Sequence, residues 1–212
     1  VRIVTPRIGA RCFDHFGGIT LAQAQALAAD GFEGCFGYVA TMTAASLQVI
    51  LDAGMWWGAL LEGLADTTEP TRELGQRMAS TASAKLRDLM VPRGMTVFAD
   101  LENDKAAFPA ADWYAFAAGA GLTTIGSGDI AGIYIAEGTG LTRDELSKLP
   151  ATRYFRGAAR VVDRNGVPVD EPTRGWCVLQ GPIDQPHPSG VQIDYDVAWP
   201  DRLGSSVAVV SA

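Results

Sequence analysis

The chain has 212 residues, 48% hydrophobic and 19% charged, which is apolar enough for a full core and argues against disorder. A formal net charge of −7 and a pI near 4.8 argue against a nucleic-acid partner, because phosphate recognition needs clustered Lys and Arg and the basic residues here are scattered. No run approaches the ~20 apolar residues of a membrane-spanning helix, and the opening VRIVTPRIGA lacks the apolar centre of a signal peptide.

In chain order, Ala10–Asp14 (ARCFD) reads as a short strand ending in an acid, followed by His15 and a Gly17-Gly18 turn. Thr20 is placed to cap a helix LAQAQALAAD that Gly31 stops. A strand at Gly34–Val39, a helix from Thr43 to Ala53 and a strand at Met55–Leu61 follow, the last running into Glu62. A long helix is predicted from about Pro70 to Met90, ahead of Pro92.

The stretch Met95–Asp104 (MTVFADLEND) organises the rest. Its apolar strand Thr96–Leu101 delivers Asp100, Glu102 and Asp104 in alternation. Side chains two apart on a strand share a face with Cα atoms about 6.6 Å apart. Asp100 and Glu102 therefore converge on one small volume, where crowding raises a pKa and favours a shared proton or a cation. Pro109 then opens a helix to Ala120 with Gly121 behind it, and Ile130–Ala136 is a strand running into Glu137. Thr142–Glu145 has the form of a capping box for a short helix that closes before Pro150.

Beyond this point the rhythm changes. Arg153–Val162 reads as a strand, and Asn165-Gly166 is a hairpin signal. Trp176–Gln180 and Val191–Val197 are two further strands, joined by a loop at Gly181–Gly190, with no helix between them. The small apolar tail at Leu203–Ala212 either packs on the body or frays. Five strand–helix pairs followed by three strands predict an α/β fold of the TIM-barrel type with few or no helices at its end. One barrel domain is expected over residues 1–212; an open doubly wound sheet is the rival, but would not normally lose its helices at one end.

Active sites of such barrels lie at the C-terminal ends of the strands. Those ends carry Asp14, Tyr38, Glu62, Asp100 with Glu102, Glu137, Gln180, and Asp194 with Asp196. Barrel closure would aim several of these into one cup. Three chemistries could use it: glycoside hydrolysis by two carboxylates of unequal pKa, a divalent cation held by hard oxygens, to which Asp104 would add, and sugar binding without cleavage. Tyr38, Trp56 or Trp57, Tyr134 and Trp176 lie on the same strands and suit stacking on a sugar, although core packing explains such residues equally well. Cys12, Cys35 and Cys177 read as buried thiols, since an odd count with no CxxC spacing fits neither a disulfide framework nor zinc. Two histidines, His15 and His187, are too few for a histidine-rich metal site, and neither has a nucleophile-elbow context. Gly126-Ser127-Gly128 with Gly132 precedes a strand instead of following one, so no dinucleotide or other cofactor is expected.

Taken in order, CFD ending strand one, ADLE ending strand four, GIYIAEG, WCVLQG and QIDYDVAW resemble the lysozyme-like barrels of glycoside hydrolase family 25 and the related glycoside-hydrolase-like domains of actinobacteria and their phages. That resemblance covers most of the chain. It implies a peptidoglycan-directed muramidase in which Glu102 is the general acid and Asp100 stabilises developing positive charge or orients an acetamido group. Asp14 and Asp194 would complete the acidic cup, with Tyr38, Glu62, Tyr134, Glu137, Trp176 and Gln180 as substrate contacts. It implies no metal and no cofactor. Gln180-Gly181-Pro182 lacks the aromatic that usually follows the Gln, and strand two lacks the usual pattern, so the sequence leans toward the less characterised branch. The expected setting is a phage lysin, cytoplasmic until released, or a phage-particle component with partners there. The alternative is a non-catalytic barrel serving as a sugar-binding or phage structural module.

Overall fold

Strands that are continuous apolar runs need cover on both faces, and the chain meets that need by closing its sheet into a ring. The computed structural model describes residues 1–15, 17–61, 68–102, 108–136, 139–157, 161–169 and 175–212. In chain order its elements are β1 (Arg2–Val4), β2 (Ala10–Asp14), α1 (Leu21–Ala29), β3 (Gly34–Tyr38), α2 (Ala44–Asp52), β4 (Trp56–Leu60), α3 (Arg72–Asp88) and β5 (Thr96–Leu101). They continue with α4 (Ala110–Gly126), β6 (Ile130–Ile135), α5 (Arg143–Lys148), β7 (Arg153–Arg156), β8 (Val178–Gln180), β9 (Gln185–Pro186), β10 (Gln192–Ala198) and β11 (Val209–Ser211).

Eight strands close the barrel in the order β2-β3-β4-β5-β6-β7-β8-β10 and back to β2. Neighbours run parallel except at β10, which is antiparallel to both β8 and β2. The five helices alternate with β2 to β7 as the periodicity predicts, and no helix stands among the described residues between β7, β8 and β10. The α/β barrel expected from the sequence is therefore the observed fold. No helix among the described residues is long and apolar enough to cross a membrane.

Local chemistry sets the element boundaries. Thr20 and Thr142 close reciprocal capping boxes with Gln23 and Glu145, and Thr43 and Thr71 accept from backbone N–H groups in the first turns of α2 and α3. One expected stop fails. The helix after Pro109 does not end at Ala120 but continues to Gly126. Gly119 and Gly121 are not terminators: a Cβ on Gly119 would lie 2.3 Å from the Arg72 carbonyl oxygen, and one on Gly121 2.6 Å from that of Pro150. Gly75 of α3 meets the Phe116 carbonyl oxygen in the same way, at 2.2 Å. These glycines let two helix backbones approach, at the helix-propensity cost of about 1 kcal/mol each.

The predicted strand Arg153–Val162 is shorter than expected, with β7 ending at Arg156. The Asn165-Gly166 signal makes a small turn outside the barrel, closed by a Val162–Pro168 bridge and by Asp163 Oδ1, which accepts from the N–H groups of Asn165 and Val167 at 2.8 and 3.0 Å. Arg164 fastens that turn to α5 with two hydrogen bonds to Glu145, at 2.8 and 2.9 Å.

The core has two layers. Between strands and helices lie Phe13, Trp57, Trp113, Phe116 and the aliphatic side chains. Inside the barrel, Phe36, Phe98 and Phe155 pack on one another with centroids 5.1–5.8 Å apart, and Trp56 and Tyr134 extend the stack. Four of these five rings occupy space left by a neighbouring glycine. A Cβ on Gly34 would lie 2.0 Å from Trp56, on Gly58 2.3 Å from Phe36, on Gly132 2.5 Å from Phe98 and on Gly157 2.1 Å from Tyr134. The tail does not fray: β11 pairs with β1 and β4, Val207 and Val209 join the lumen cluster, and Ala208 exchanges hydrogen bonds with Thr96, closing the floor.

Candidate active site

The floor is full, so polar groups collect at the open end. Strand alternation turns Asp14, Tyr38, Asp100, Tyr134, Gln180 and Asp194 into the lumen at the mouth, with Glu102 at the end of β5. Asp14, Tyr38, Glu102, Tyr134, Gln180 and Asp194 line a cavity of about 420 Å³, together with His15, Ile183, Asp184 and Gln192 on its rim. Glu62, Glu137 and Asp104, which the sequence also points to, lie outside the described residues.

Two hydrogen-bonded groups define the geometry. On one side the Tyr38 hydroxyl donates to Asp100 Oδ2 at 3.1 Å, and Asp100 is buried, only 1% exposed. Burial, and then the charges of Asp100, Asp14 and Glu102, push the Tyr38 hydroxyl well above its ordinary range, so it stays a donor. On the other side Asp14 and Asp194 are direct cross-strand partners, and Gln180 Nε2 donates to Oδ2 of each at 3.1 Å. Burial holds the Asp14 carboxyl well above the usual carboxylate range, reinforced by the charge of Asp194, a hydrogen bond to it, and the charges of Asp100 and Glu102. Asp194 additionally accepts the backbone N–H of Asp184 on Oδ1 at 2.6 Å. Asp14 has no such second donor among these bonds, and its burial beside a second acid favours its protonated form.

Several aromatics leave the site. Trp56 belongs to the lumen floor, while Trp57 and Trp176 are buried in the layer between strands and helices. Trp176 lies ahead of β8, where strand alternation no longer sets its direction, and packs in the outer layer without lining the cavity, which corrects its reading as a substrate contact. Tyr38 and Tyr134 do line it, and the Tyr134 hydroxyl donates to the Gly157 carbonyl oxygen at 3.4 Å. All three cysteines are buried thiols. No group of three or more His, Cys, Asp and Glu among the described residues is arranged to hold a metal ion.

Strand direction corrects a second reading. Asp194 and Asp196 both look like strand-end acids, but β10 runs antiparallel, so its beginning is at the mouth. Asp194 faces Asp14 there, whereas Asp196 pairs with Cys12 one layer down and is 2% exposed. A short helix-free connection returns a strand antiparallel, and the loop from β8 to β10 is such a connection.

That loop supplies what sequence reasoning missed. Ile183 and Asp184 form part of the cavity wall, with Asp184 in a left-handed backbone conformation at φ +52°. No motif marks either residue. Both histidines brace the same wall: His15 Nδ1 donates to the Gln192 carbonyl oxygen at 3.0 Å, and His187 Nε2 meets Asp30 Oδ2 at 2.8 Å. Ser189, His187 and Asp30 fall in a row, with Ser189 Oγ 2.8 Å from His187 Nδ1. The Ser189 backbone N–H also donates to that nitrogen, at 3.2 Å, and so occupies the lone pair a general base would use. The row is a clasp between loop and helix α1.

The barrel has structural counterparts. The Tat-secreted protein Rv2525c of Mycobacterium tuberculosis, solved in complex with L-tartrate, superposes with a TM-score of 0.67 at 12% identity over 91% of this chain and 96% of that one. An uncharacterized protein of B. stearothermophilus gives 0.66 at 18% identity, covering 90% of this chain and 96% of that one. The modular autolysin LytC from Streptococcus pneumoniae, solved with a synthetic peptidoglycan ligand, gives 0.61 at 10% identity, over 92% of this chain and 48% of that one. At these identities the likeness is one of fold. No family model and no curated protein sequence matches the chain.

Proposed function

We propose that this barrel is a glycosidase acting on cell-wall glycan, a muramidase of the kind found in glycoside hydrolase family 25, with Glu102 as general acid and Asp100 as its partner. The observation that carries the reading is that Asp14, Glu102 and Asp194 line one cavity at the mouth, with Asp100 buried near the end of β5, two residues before Glu102, and hydrogen-bonded to Tyr38 of the same cavity. A cell-wall autolysin among the structural neighbours supports it.

In this reading a glycan chain lies across the mouth between Tyr38 and the Ile183–Asp184 wall. Glu102, at the open end of the strand, gives its proton to the glycosidic oxygen as the bond breaks. Positive charge then develops on the sugar ring. Asp100 meets it from one turn of the pleat deeper, held in place by the Tyr38 hydroxyl, in a cavity whose apolar floor keeps the local field strong. Asp14, held protonated beside Asp194, lines the same cavity and presents a polar group to the sugar.

The test is turbidity loss and release of reducing ends from purified peptidoglycan, for the parent and for Glu102→Gln, each with and without EDTA. The variant keeps the shape and loses the proton, so activity falls about 10²–10⁴-fold while EDTA has no effect. A folded parent inactive on several wall types overturns the enzyme and leaves a sugar-binding barrel. Activity abolished by EDTA favours a metal-dependent hydrolase instead.

A further inference from the structure

Among the described residues, the acid beneath the cup, Asp196, is a lumen carboxyl that this mechanism does not use. Neither oxygen of Asp196 has a hydrogen-bond partner among the described residues, although the side chain is buried. Its partners across the flanking strands are Cys12 on β2 and Gln180 on β8. Paired positions on one sheet face bring Cβ atoms within about 4.5–5.5 Å. Gln180 has the matching defect: its Nε2 is spent on Asp14 and Asp194, and its Oε1 is buried without a partner. Acceptor oxygens of two neighbouring side chains thus lie in one dry layer with no donor between them, which is costly unless one of them carries hydrogen.

We propose that Asp196 is a positioning residue of the cup: it carries a proton and donates it to Gln180 Oε1, locking the amide with its NH2 toward Asp14 and Asp194. The catalytic consequence rests on the glycosidase reading; the placement of the proton does not.

The surroundings favour this state. Burial, above all, raises the affinity of Asp196 for its proton, and the acids nearest it, Asp14 on β2 and Asp194 on its own strand, add to the effect and offer no cation to stabilise an ionised form. Cys12, facing it from β2, is itself pushed up chiefly by burial, so it stays a thiol; Gln180, from β8, does not titrate. Across the lumen Tyr134 on β6 is likewise held protonated. The reverse amide orientation would set an ionised, fully buried carboxylate against a single amide and strip both donors from the Asp14–Asp194 pair. With the amide locked, Asp194 receives Gln180 and Asp184 while Asp14 receives Gln180 alone and stays protonated. The buried carboxyl thereby sets the proton pattern of the mouth.

The experiment compares the full chain with Asp196→Asn, which keeps a donor and cannot ionise, and with Asp196→Leu, which removes the donor. Denaturant unfolding is followed from acid to mildly alkaline pH, with infrared spectra at neutral pH and lysis across the same range. The parent alone must retain a proton, so Asp196→Asn gains stability over it progressively as pH rises above the ordinary carboxylate range. The infrared carbonyl band of a neutral carboxylic acid weakens in Asp196→Asn. Lysis falls roughly tenfold in Asp196→Leu, is rescued in Asp196→Asn, and in the latter loses any alkaline limb that comes from Asp196. Asp196→Asn losing stability against the parent as pH rises, or an unchanged carboxylic-acid band, overturns the proposal. A parent without lysis refutes the glycosidase reading, while the stability and infrared results still decide where the proton sits.

Discussion

Mouth and floor of the same lumen are built by alternate residues of the same strands, yet they hold opposite chemistry. On β5, Thr96 and Phe98 lie toward the floor and Asp100 toward the mouth; on β3, Gly34 and Phe36 precede Tyr38. At the floor, rings fill the tube against strand glycines, and β11 closes it. At the mouth the strands end, water reaches the side chains, and carboxyls become affordable only in company: Asp100 with Tyr38, and Asp14 with Asp194 and Gln180. Asp196 marks the boundary, where a carboxyl survives only by keeping its proton. The difference teaches that the hydrogen-bond partners a barrel strand brings to an acid, more than its residue type, decide whether it works as a charge or as a donor.

Changes at the floor should alter stability and changes at the mouth should alter chemistry. The largest stability effect is expected for Phe98→Ala. It removes the ring that touches both Phe36 and Phe155 and should cost about 3–5 kcal/mol in denaturant unfolding. Glu102→Gln, by contrast, should leave unfolding nearly unchanged while lysis collapses. A Phe98→Ala protein as stable as the parent would refute the description of the floor as close-packed.

A smaller effect, of a particular sign, is expected for Asp14→Asn. The folded-state pKa of Asp14 is raised, so the folded protein binds its proton more tightly than the unfolded chain does. Stability from this group is present in acid and is lost as pH rises from the ordinary carboxylate value through the folded one, with a slope of at most about 1.4 kcal/mol per pH unit. The asparagine cannot ionise, so its stability curve should be flatter over that range. A slope identical to the parent's would remove Asp14 as the proton carrier.

The smallest effect sharpens the contrast by reversing its sign. Glu145, on the exposed side of α5, has its carboxyl lowered to about 2, chiefly by hydrogen bonds from Arg164, with Thr142 adding to them. Its contribution is present above the unfolded value of 4.5 and is lost as pH falls toward 2. Glu145→Gln should therefore cost a little stability at neutral pH and none in strong acid. Lumen acids and surface acids then differ in the direction of their pH dependence, as burial without a cation and exposure beside one require.

Much of this was legible in the residues. Threonine caps, apolar runs and turn glycines placed the five helices and the barrel strands, because those signals act within a few residues. Alternation alone placed Asp100 and Glu102 at one strand end. The errors have a common origin in contacts between distant segments. Gly121 read as a helix stop because its packing partner, Pro150, lies far away in sequence. Trp176 read as a sugar contact because an aromatic residue carries no mark of which side of the barrel it faces. Ile183 and Asp184 were invisible because a loop residue joins a cavity only when its loop folds back.

By itself the sequence determined the α/β barrel with a helix-poor final third and the carboxyls at its strand ends, since hydrophobic period and capping are local properties of the chain. Only the tertiary structure decided that β10 returns antiparallel, which raises Asp194 to the mouth and sinks Asp196 beneath it. The pairing of Asp14 with Asp194, and the proton that pairing demands, could not be read earlier. Both depend on the distance and dielectric between groups that the chain separates widely, and those quantities exist only once the barrel has closed.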